Sequence, residues 1–161
     1  MHVTHANQKA IASFYESFAA RDAEGMIANY DPHAIRFSDP VFTDLQGDEP
    51  SAMWRMLVGR AADLAVDFRD VSADDHSGKA YWEARYTFSK TGRKVLNRVR
   101  AEFRFHDGKI VEHRDHFDLY AWTRQALGPI GTLVGWSPLL QAPLRRSAKK
   151  ELRRFMKQSR A

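Results

Sequence analysis

Hydrophobic residues in the first part of the chain recur with the 3.6-residue period of an α-helix. This spacing predicts a helix over residues 5–20, whose apolar stripe consists of Ile11, Phe14, Tyr15 and Phe18. Asp22 can cap a second, short helix that ends at Asp31-Pro32, because the residue before proline avoids the α conformation. A third predicted helix runs from Asp48 to about Ala62.

From Leu64 the period changes to two, which indicates strands. The alternating segments lie at 64–69, 80–89, 95–106 and 109–118, and a further short strand is predicted earlier in the chain, at 34–39. Helices followed by a meander of strands are typical of an α+β fold. We therefore expect three N-terminal helices packed on a highly curved mixed sheet of about five or six strands. Such a sheet forms a cone with a pocket at its open end.

The last forty residues depart from this plan. Residues 119–127 are predicted to be helical, 128–131 break the helix, and 133–140 are apolar. The expected domain is therefore residues 1–120, followed by a helical C-terminal extension over 121–161 that is basic from 141. We expect residues 121–140 to cover or flank the pocket mouth, since their apolar side chains need burial. The basic helix would then lie along the outside.

Composition and charge narrow the class of protein. A chain of 161 residues with 43% hydrophobic content fits one core. Without cysteine, disulfides and thiolate chemistry are excluded. The N-terminus has no secretory signature and no segment approaches about 20 apolar residues, so we expect a cytoplasmic protein.

The net charge of +5 comes from the C-terminal tail. Residues 141–161 hold eight Lys and Arg residues and one acid, a net +7, which leaves −2 for the rest of the chain. The favoured interpretation is a helix that packs its apolar side on the body. Contact with a membrane surface stays open but is not favoured. No nucleic-acid partner is predicted, because the tail lacks interleaved aromatic residues for base stacking.

The strand that follows the Asp107-Gly108 turn carries the candidate chemistry. Its period places His113 and Asp115 on the more apolar face, shared with Val111 and Phe117. This pair is interpreted as an acid/base pair in a pocket or as a satisfied polar cluster beneath the tail. Asp39, before Pro40, is either a turn residue or a second pocket carboxylate.

No metal site and no organic cofactor are predicted. His106, His113 and His116 do not share one face of the strand region, and no Gly-rich phosphate loop, nucleophile elbow or Cys/His cluster is present.

Residues 8–120 resemble the NTF2-like superfamily, in particular its SnoaL-like and ketosteroid-isomerase-like branch. The resemblance rests on residues 20–26, on Phe37-Ser38-Asp39-Pro40 and on residues 108–115. It implies that Asp39 corresponds to the general base of ketosteroid isomerases. It also implies that Asp115, with His113 beside it, corresponds to the acid/base residue of SnoaL-like polyketide cyclases. A homodimer through the outer sheet face is a further implication.

Ketosteroid isomerase activity itself is predicted to be absent. The position of the oxyanion tyrosine is occupied by Phe14, and that of the oxyanion aspartic acid by Ala101.

The combined prediction is a cofactor-independent isomerase, cyclase or hydrolase that uses Asp115, His113 and Asp39 on a small apolar ligand. The alternative is a ligand-binding module without turnover. The predicted pocket wall consists of Tyr15, Phe14, Trp54, Trp82, Tyr86, Val99, Ala101 and Phe117.

Overall fold

The structure is a computed structural model that describes residues 4–160, which form six helices and one sheet of six strands. The predicted α+β cone with a helical extension is confirmed. The elements in chain order are α1 Ala6–Ala19, α2 Ala23–Ile27, β1 Arg36–Ser38, β2 Leu45–Gln46, α3 Glu49–Arg60, β3 Ala65–Ala73, β4 Ser77–Phe88, β5 Arg93–His106, β6 Lys109–His116, α4 Leu119–Leu127, α5 Pro129–Trp136 and α6 Pro138–Ser159.

The sheet has the strand order β2-β1-β6-β5-β4-β3 and is mixed. Strands β1 and β6 run parallel, and the other neighbours are antiparallel. Register shifts occur in β3 between Arg69 and Ser72 and in β6 at Val111, opposite Arg104 and Phe105 of β5. Such bulges bend and twist a sheet, which lets this one curve around the helices. The two-residue strand β2 was not predicted.

Helix α1 fills the concave side of the sheet because its apolar stripe faces inward as predicted. Ile11, Phe14 and Tyr15 have no exposed surface, and Phe18 is 4% exposed. The rings of Phe14 and Tyr15 meet edge to face with centroids 5.1 Å apart. The inner face of β5 lies against them and is closed by Val99, Ala101 and Phe103.

The outer face of the sheet is polar, as the alternation in β5 predicted. Arg98, Arg100 and Arg104 are exposed, and the guanidinium of Arg69 lies 4.3 Å from the ring centroid of Tyr81. The homodimer through this face stays a prediction.

The extension begins with the predicted helix α4, where the Asp118 carboxylate accepts a hydrogen bond from the Ala121 N–H at 3.1 Å. The predicted break occurs at Gly128, but the chain then forms α5 instead of a loop. Helix α6 begins at Pro138, ahead of the predicted start at 142, and contains Pro143. Among residues 4–160, no helix combines the length and apolar character needed to cross a bilayer.

The expectation for the tail was wrong about which segment is buried. Helix α6 packs on the cone with its inner side, and Leu152 is fully buried in the main core. The apolar residues between 130 and 140 are mostly exposed instead. The physical reason is that the inward positions of α6 recur over several turns and give a long apolar stripe, consisting of Leu144, Ala148, Leu152 and Phe155.

We expect Leu152→Ala to lower the free energy of unfolding by about 2–5 kcal/mol, because it opens a cavity in the main core. Leu139→Ala is the matched control from the same helix: Leu139 is 84% exposed, so its loss should change stability by less than about 0.5 kcal/mol. Urea unfolding of the full chain measures both. Equal, small effects would show that α6 does not belong to the core.

Candidate active site

A pocket of about 210 Å³ lies between the open end of the cone and the inner side of α6. Its wall is mostly apolar, and three carboxyl groups line it: Asp39 and Asp115 of the cone and Glu151 of α6. Aromatic and aliphatic side chains of the wall come from α1, α3, β4, α4 and α6 and from the loops after β1 and β6. They include Phe18, Phe42, Trp54, Met56, Trp82, Tyr86, Phe88, Phe117, Trp122 and Leu144. The volume lies below the ~300 Å³ at which most ligand pockets begin, so it suits a small molecule or one end of a larger one.

A chain of hydrogen bonds runs through the core and ends at Asp115. Trp54 Nε1 donates to the Tyr30 hydroxyl at 2.8 Å, and that oxygen lies 2.7 Å from His113 Nδ1. On the other side of the ring, His113 Nε2 lies 2.9 Å from Asp115 Oδ1. We call these four residues the buried relay.

Donor chemistry assigns the protons in the buried relay. An indole N–H can only donate, so the Tyr30 oxygen accepts from Trp54. Burial raises the pKa of Tyr30 well above its usual value, which keeps its proton in place. That proton is directed to Nδ1 of His113, so Nε2 carries the imidazole hydrogen and donates it to Asp115.

His113 is held by aromatic rings on all the elements around it. Its register on β6 places it beside Phe37 of β1 and Phe103 of β5. The Phe103 ring centroid lies 4.4 Å away, and Trp54 stacks at 6.1 Å with an angle of 20° between the planes. The ring is therefore fully buried and has one orientation available.

Asp115 is buried but still lines the pocket. Its side chain is 2% exposed, and Oδ1 also receives a weak hydrogen bond from Trp82 Nε1 at 3.4 Å. No arginine or lysine among residues 4–160 pairs with it. A carboxyl group held in this way is oriented by hydrogen-bond donors and is not paired with a basic side chain.

Asp39 fulfils both of the roles considered from the sequence. Its Oδ1 accepts hydrogen bonds from the Val41 N–H at 2.7 Å and the Phe42 N–H at 2.6 Å, as in an Asx turn. It also lines the pocket. Ser38 pairs with Arg114 across the parallel strands, so the next residue, Asp39, comes beside Asp115.

The pKa of Asp39 is raised from its usual range to about 7. Removal of water by the surrounding protein is the main cause, the Phe42 N–H opposes it, and the charge of Asp115 raises the pKa further. The side chain is only half-buried by surface area, because its remaining surface faces the narrow pocket and not bulk water.

Charged groups surround the mouth of the pocket. Glu151 of α6 forms ion pairs with Lys90 and with Arg60, whose Nη1 lies 3.4 Å from Oε2 of Glu151. Arg145 Nε donates to the Pro40 carbonyl at 2.9 Å, next to Asp39. These contacts attach α6 to three separate parts of the cone.

The structure brings together His113, Asp115 and Asp39 as the sequence predicted, and Trp54, Trp82, Tyr86 and Phe117 line the pocket. The other four predicted wall residues do not line the pocket. Phe14, Tyr15, Val99 and Ala101 are at most 1% exposed and lie deeper in the core, because α1 fills the narrow end of the cone.

Several site residues were missed from the sequence. Tyr30 was assigned only to the inner side of a helix, and its contact with His113 spans 83 residues, which no local pattern reveals. Glu151 did leave a signal, because it is the single acid in the basic tail and follows the inward position 148 by three residues. Within residues 4–160, no three His, Asp or Glu side chains cluster closely enough to hold a metal ion.

Two tyrosines allow a matched test of the buried relay. Tyr30→Phe leaves the Trp54 N–H and His113 Nδ1 without a partner, and we expect it to cost about 2–4 kcal/mol of unfolding free energy. The Tyr15 hydroxyl is buried without a hydrogen-bond partner among the described residues, so Tyr15→Phe should leave stability within about 1 kcal/mol or raise it. Chemical denaturation measures both; equal losses would contradict the relay.

The raised pKa of Asp39 predicts a specific pH dependence. Between the unfolded value of 3.8 and about 7, the native state holds a proton that the unfolded state releases, so raising the pH destabilises the wild type. Asp39→Asn keeps an oxygen for the Val41 and Phe42 N–H groups but does not titrate. Between pH 4 and pH 8, we expect the unfolding free energy of the variant to rise by roughly 2 kcal/mol relative to that of the wild type. This is less than the full pKa shift implies, because the carboxyl group faces the pocket. Denaturation curves that keep a constant difference across this range would contradict it.

Solved structures similar to this chain share its cone. An NTF2-like protein of unknown function from Burkholderia pseudomallei has 23% sequence identity and a TM-score of 0.67, and the match covers 76% of this chain and 98% of the Burkholderia chain. An LEH-like epoxide hydrolase from M. tuberculosis has 20% identity and a TM-score of 0.63, covering 83% and 98%. IdmH, a candidate polyketide cyclase from Streptomyces antibioticus, has 22% identity and a TM-score of 0.62, covering 75% and 98%. At these identities the likeness establishes the fold alone.

The family is identified by comparing the sequence with known protein families. No curated protein matches the chain. The model of the SnoaL-like domain matches residues 11–113, which is more than half of the chain and includes α1 from Ile11 onward, the Asp39 turn and β6 as far as His113. The chain therefore belongs to the SnoaL-like domain family.

Proposed function

We propose that the protein is an enzyme without an organic cofactor that performs acid/base chemistry on a small apolar molecule. One observation carries the proposal: Asp39, with a pKa of about 7, and Asp115, whose charge helps to raise it, line the same apolar pocket. A carboxyl group with a raised pKa beside a second carboxyl group in one pocket is typical of acid/base sites.

The two carboxyl groups take different roles. Near neutral pH a substantial fraction of Asp39 is protonated, so it can donate a proton to a substrate oxygen. Asp115 acts as the carboxylate that removes a proton. Its hydrogen bonds to His113 and Trp82 both use Oδ1, which leaves Oδ2 for the substrate. His113 is a positioning residue, because it contacts Asp115 and does not line the pocket.

Ring closure and water addition are the reaction classes that this pair fits. In ring closure, Asp115 takes a proton from the carbon that attacks, and Asp39 protonates the carbonyl oxygen that is attacked. In water addition to an epoxide, Asp115 takes the proton of water while Asp39 protonates the oxygen that leaves the ring carbon. The structural neighbours described as a candidate polyketide cyclase and as an epoxide hydrolase support these two classes by analogy.

The alternative function is ligand binding without turnover. It is favoured by the fact that both carboxylates already have structural partners, namely the Val41 and Phe42 N–H groups for Asp39 and the buried relay for Asp115. Against it, neither acid is neutralised by a basic residue among those described, and their shared pocket is apolar. Such groups are costly to keep in a pocket that only binds.

Measuring product formation distinguishes an acid/base enzyme from a protein that only binds its ligand. We would incubate the full chain with a panel of cyclic epoxides, including 1-methylcyclohexene oxide, and of aromatic polyketide methyl esters, and follow products by mass spectrometry. Asp39→Asn and Asp115→Asn should each lower kcat by about 10²- to 10⁴-fold, because each removes a proton-transfer group. Their dissociation constants should stay within about threefold, since the pocket wall is unchanged.

The matched control is Asp67→Asn, which alters an exposed carboxylate paired with Arg85 and should leave kcat unchanged, because neither residue lines the pocket. Saturable binding of panel compounds without products in any variant would favour the binding function. Products that persist in Asp115→Asn would contradict its role as base.

A further inference from the structure

Helix α5 is amphipathic in an unusual sense, because it buries glycines and exposes its large side chains. Gly131 and Gly135 lie against α4, where a Cβ atom on Gly131 would come 1.8 Å from the Thr123 carbonyl oxygen. On Gly135 it would come 2.1 Å from Thr123 Oγ1. Only glycine permits this close packing of the two helices, and the opposite face of α5 is turned outward.

The outward face continues into the start of α6 as an exposed hydrophobic surface. This apolar patch consists of Ile130 (69% exposed), Leu133 (66%), Trp136 (80%), Leu139 (84%) and Leu140 (45%). It lies in a stretch of twenty residues, 125–144, without a charged side chain. Contiguous apolar surface of this kind on a monomer marks an interaction site.

A row of positive charges follows the apolar patch along the same helix. Leu139, Arg146, Lys150, Arg153 and Lys157 are spaced by seven, four, three and four residues, which places them on one face of α6. All five are exposed, and none of the four basic residues forms an ion pair with residues 4–160 within 4 Å. We call these four the basic stripe.

We infer that the helical extension docks on the surface of an anionic lipid bilayer. The apolar patch would enter the boundary between headgroups and acyl chains, where tryptophan is favoured, and the basic stripe would contact lipid phosphates. The charge distribution orients the molecule, because the tail carries +7 and the remainder −2. A second copy fits this surface less well, since it would bring two tails of +7 together. This inference does not depend on turnover in the pocket.

Vesicle binding of the wild-type chain tests the proposal. We expect sedimentation with phosphatidylcholine vesicles that contain 30 mol% phosphatidylglycerol, and at least tenfold weaker association with pure phosphatidylcholine. Adding 0.5 M NaCl should weaken binding, because it screens the basic stripe. Binding should also shift tryptophan emission to the blue, since Trp54, Trp82 and Trp122 are already at most 9% exposed and only Trp136 changes environment.

Two double variants separate the contributions of the surface. Leu133→Glu/Leu139→Glu places charge in the apolar patch, and Arg146→Glu/Lys150→Glu reverses part of the basic stripe; each should reduce vesicle binding at least tenfold. Both change exposed positions, so circular dichroism should match the wild type. The matched control, Lys9→Glu/Lys79→Glu, reverses two exposed charges on the cone and should bind within about threefold of the wild type.

Three results would overturn the proposal. The first is no association of the wild type with vesicles that contain 30 mol% phosphatidylglycerol. The second is equal binding to neutral vesicles that salt does not weaken. The third is a dimer in light scattering that does not bind vesicles and dissociates on Leu133→Glu/Leu139→Glu, which would make a second copy the occupant of the apolar patch.

Discussion

The hydrogen bond between His113 and Asp115 is the interaction on which the inner part of this protein depends. Both side chains are nearly or fully buried in a cone lined with aromatic rings, where an unpaired polar group would be expensive. The Tyr30 hydroxyl and the Trp54 indole complete the set of donors and acceptors, so helix α3, the segment after α2 and strand β6 must meet at one point. The position of β6 between β1 and β5 then fixes Asp39 beside Asp115.

Local patterns in the sequence were sufficient to predict most of the fold. Helix α1 and strands β4 and β5 follow the expected periods because each buries a single face against the same core. Strand β6 follows its period from His113 onward, but a register shift buries Ile110 in place of Val111, which the sequence had placed on the inner face. The period of β6 also places His113 and Asp115 inward, so the centre of the site was predictable. Strand β2 was not, since two residues carry no measurable period and its pairing with β1 arises from the turn between them.

The rest of the site could not be predicted because it depends on distances between segments. Tyr30 reaches His113 only after α2 and β6 are brought together. The four residues assigned wrongly to the pocket wall are apolar or aromatic like the residues that do line the pocket, and they differ only in lying deeper in the core. The tail was misjudged for a related reason. Burial of 130–140 was expected from their hydrophobicity, but the glycines at 131 and 135 decide which face of α5 meets α4.

The contact between Arg145 and the Pro40 carbonyl joins residues 105 positions apart, and it has a consequence for the order of assembly. Chains emerge from the ribosome N-terminus first, and early segments begin to fold before later ones are available. The strands of the cone and both carboxylates are therefore synthesised before the helix that roofs them. The enclosed, water-poor environment of Asp39 therefore forms only after α6 has left the ribosome and packed over the pocket mouth. A nascent chain that has not yet released α6 thus carries both acids on an uncovered sheet, and the enclosed pocket appears only when α6 packs on it.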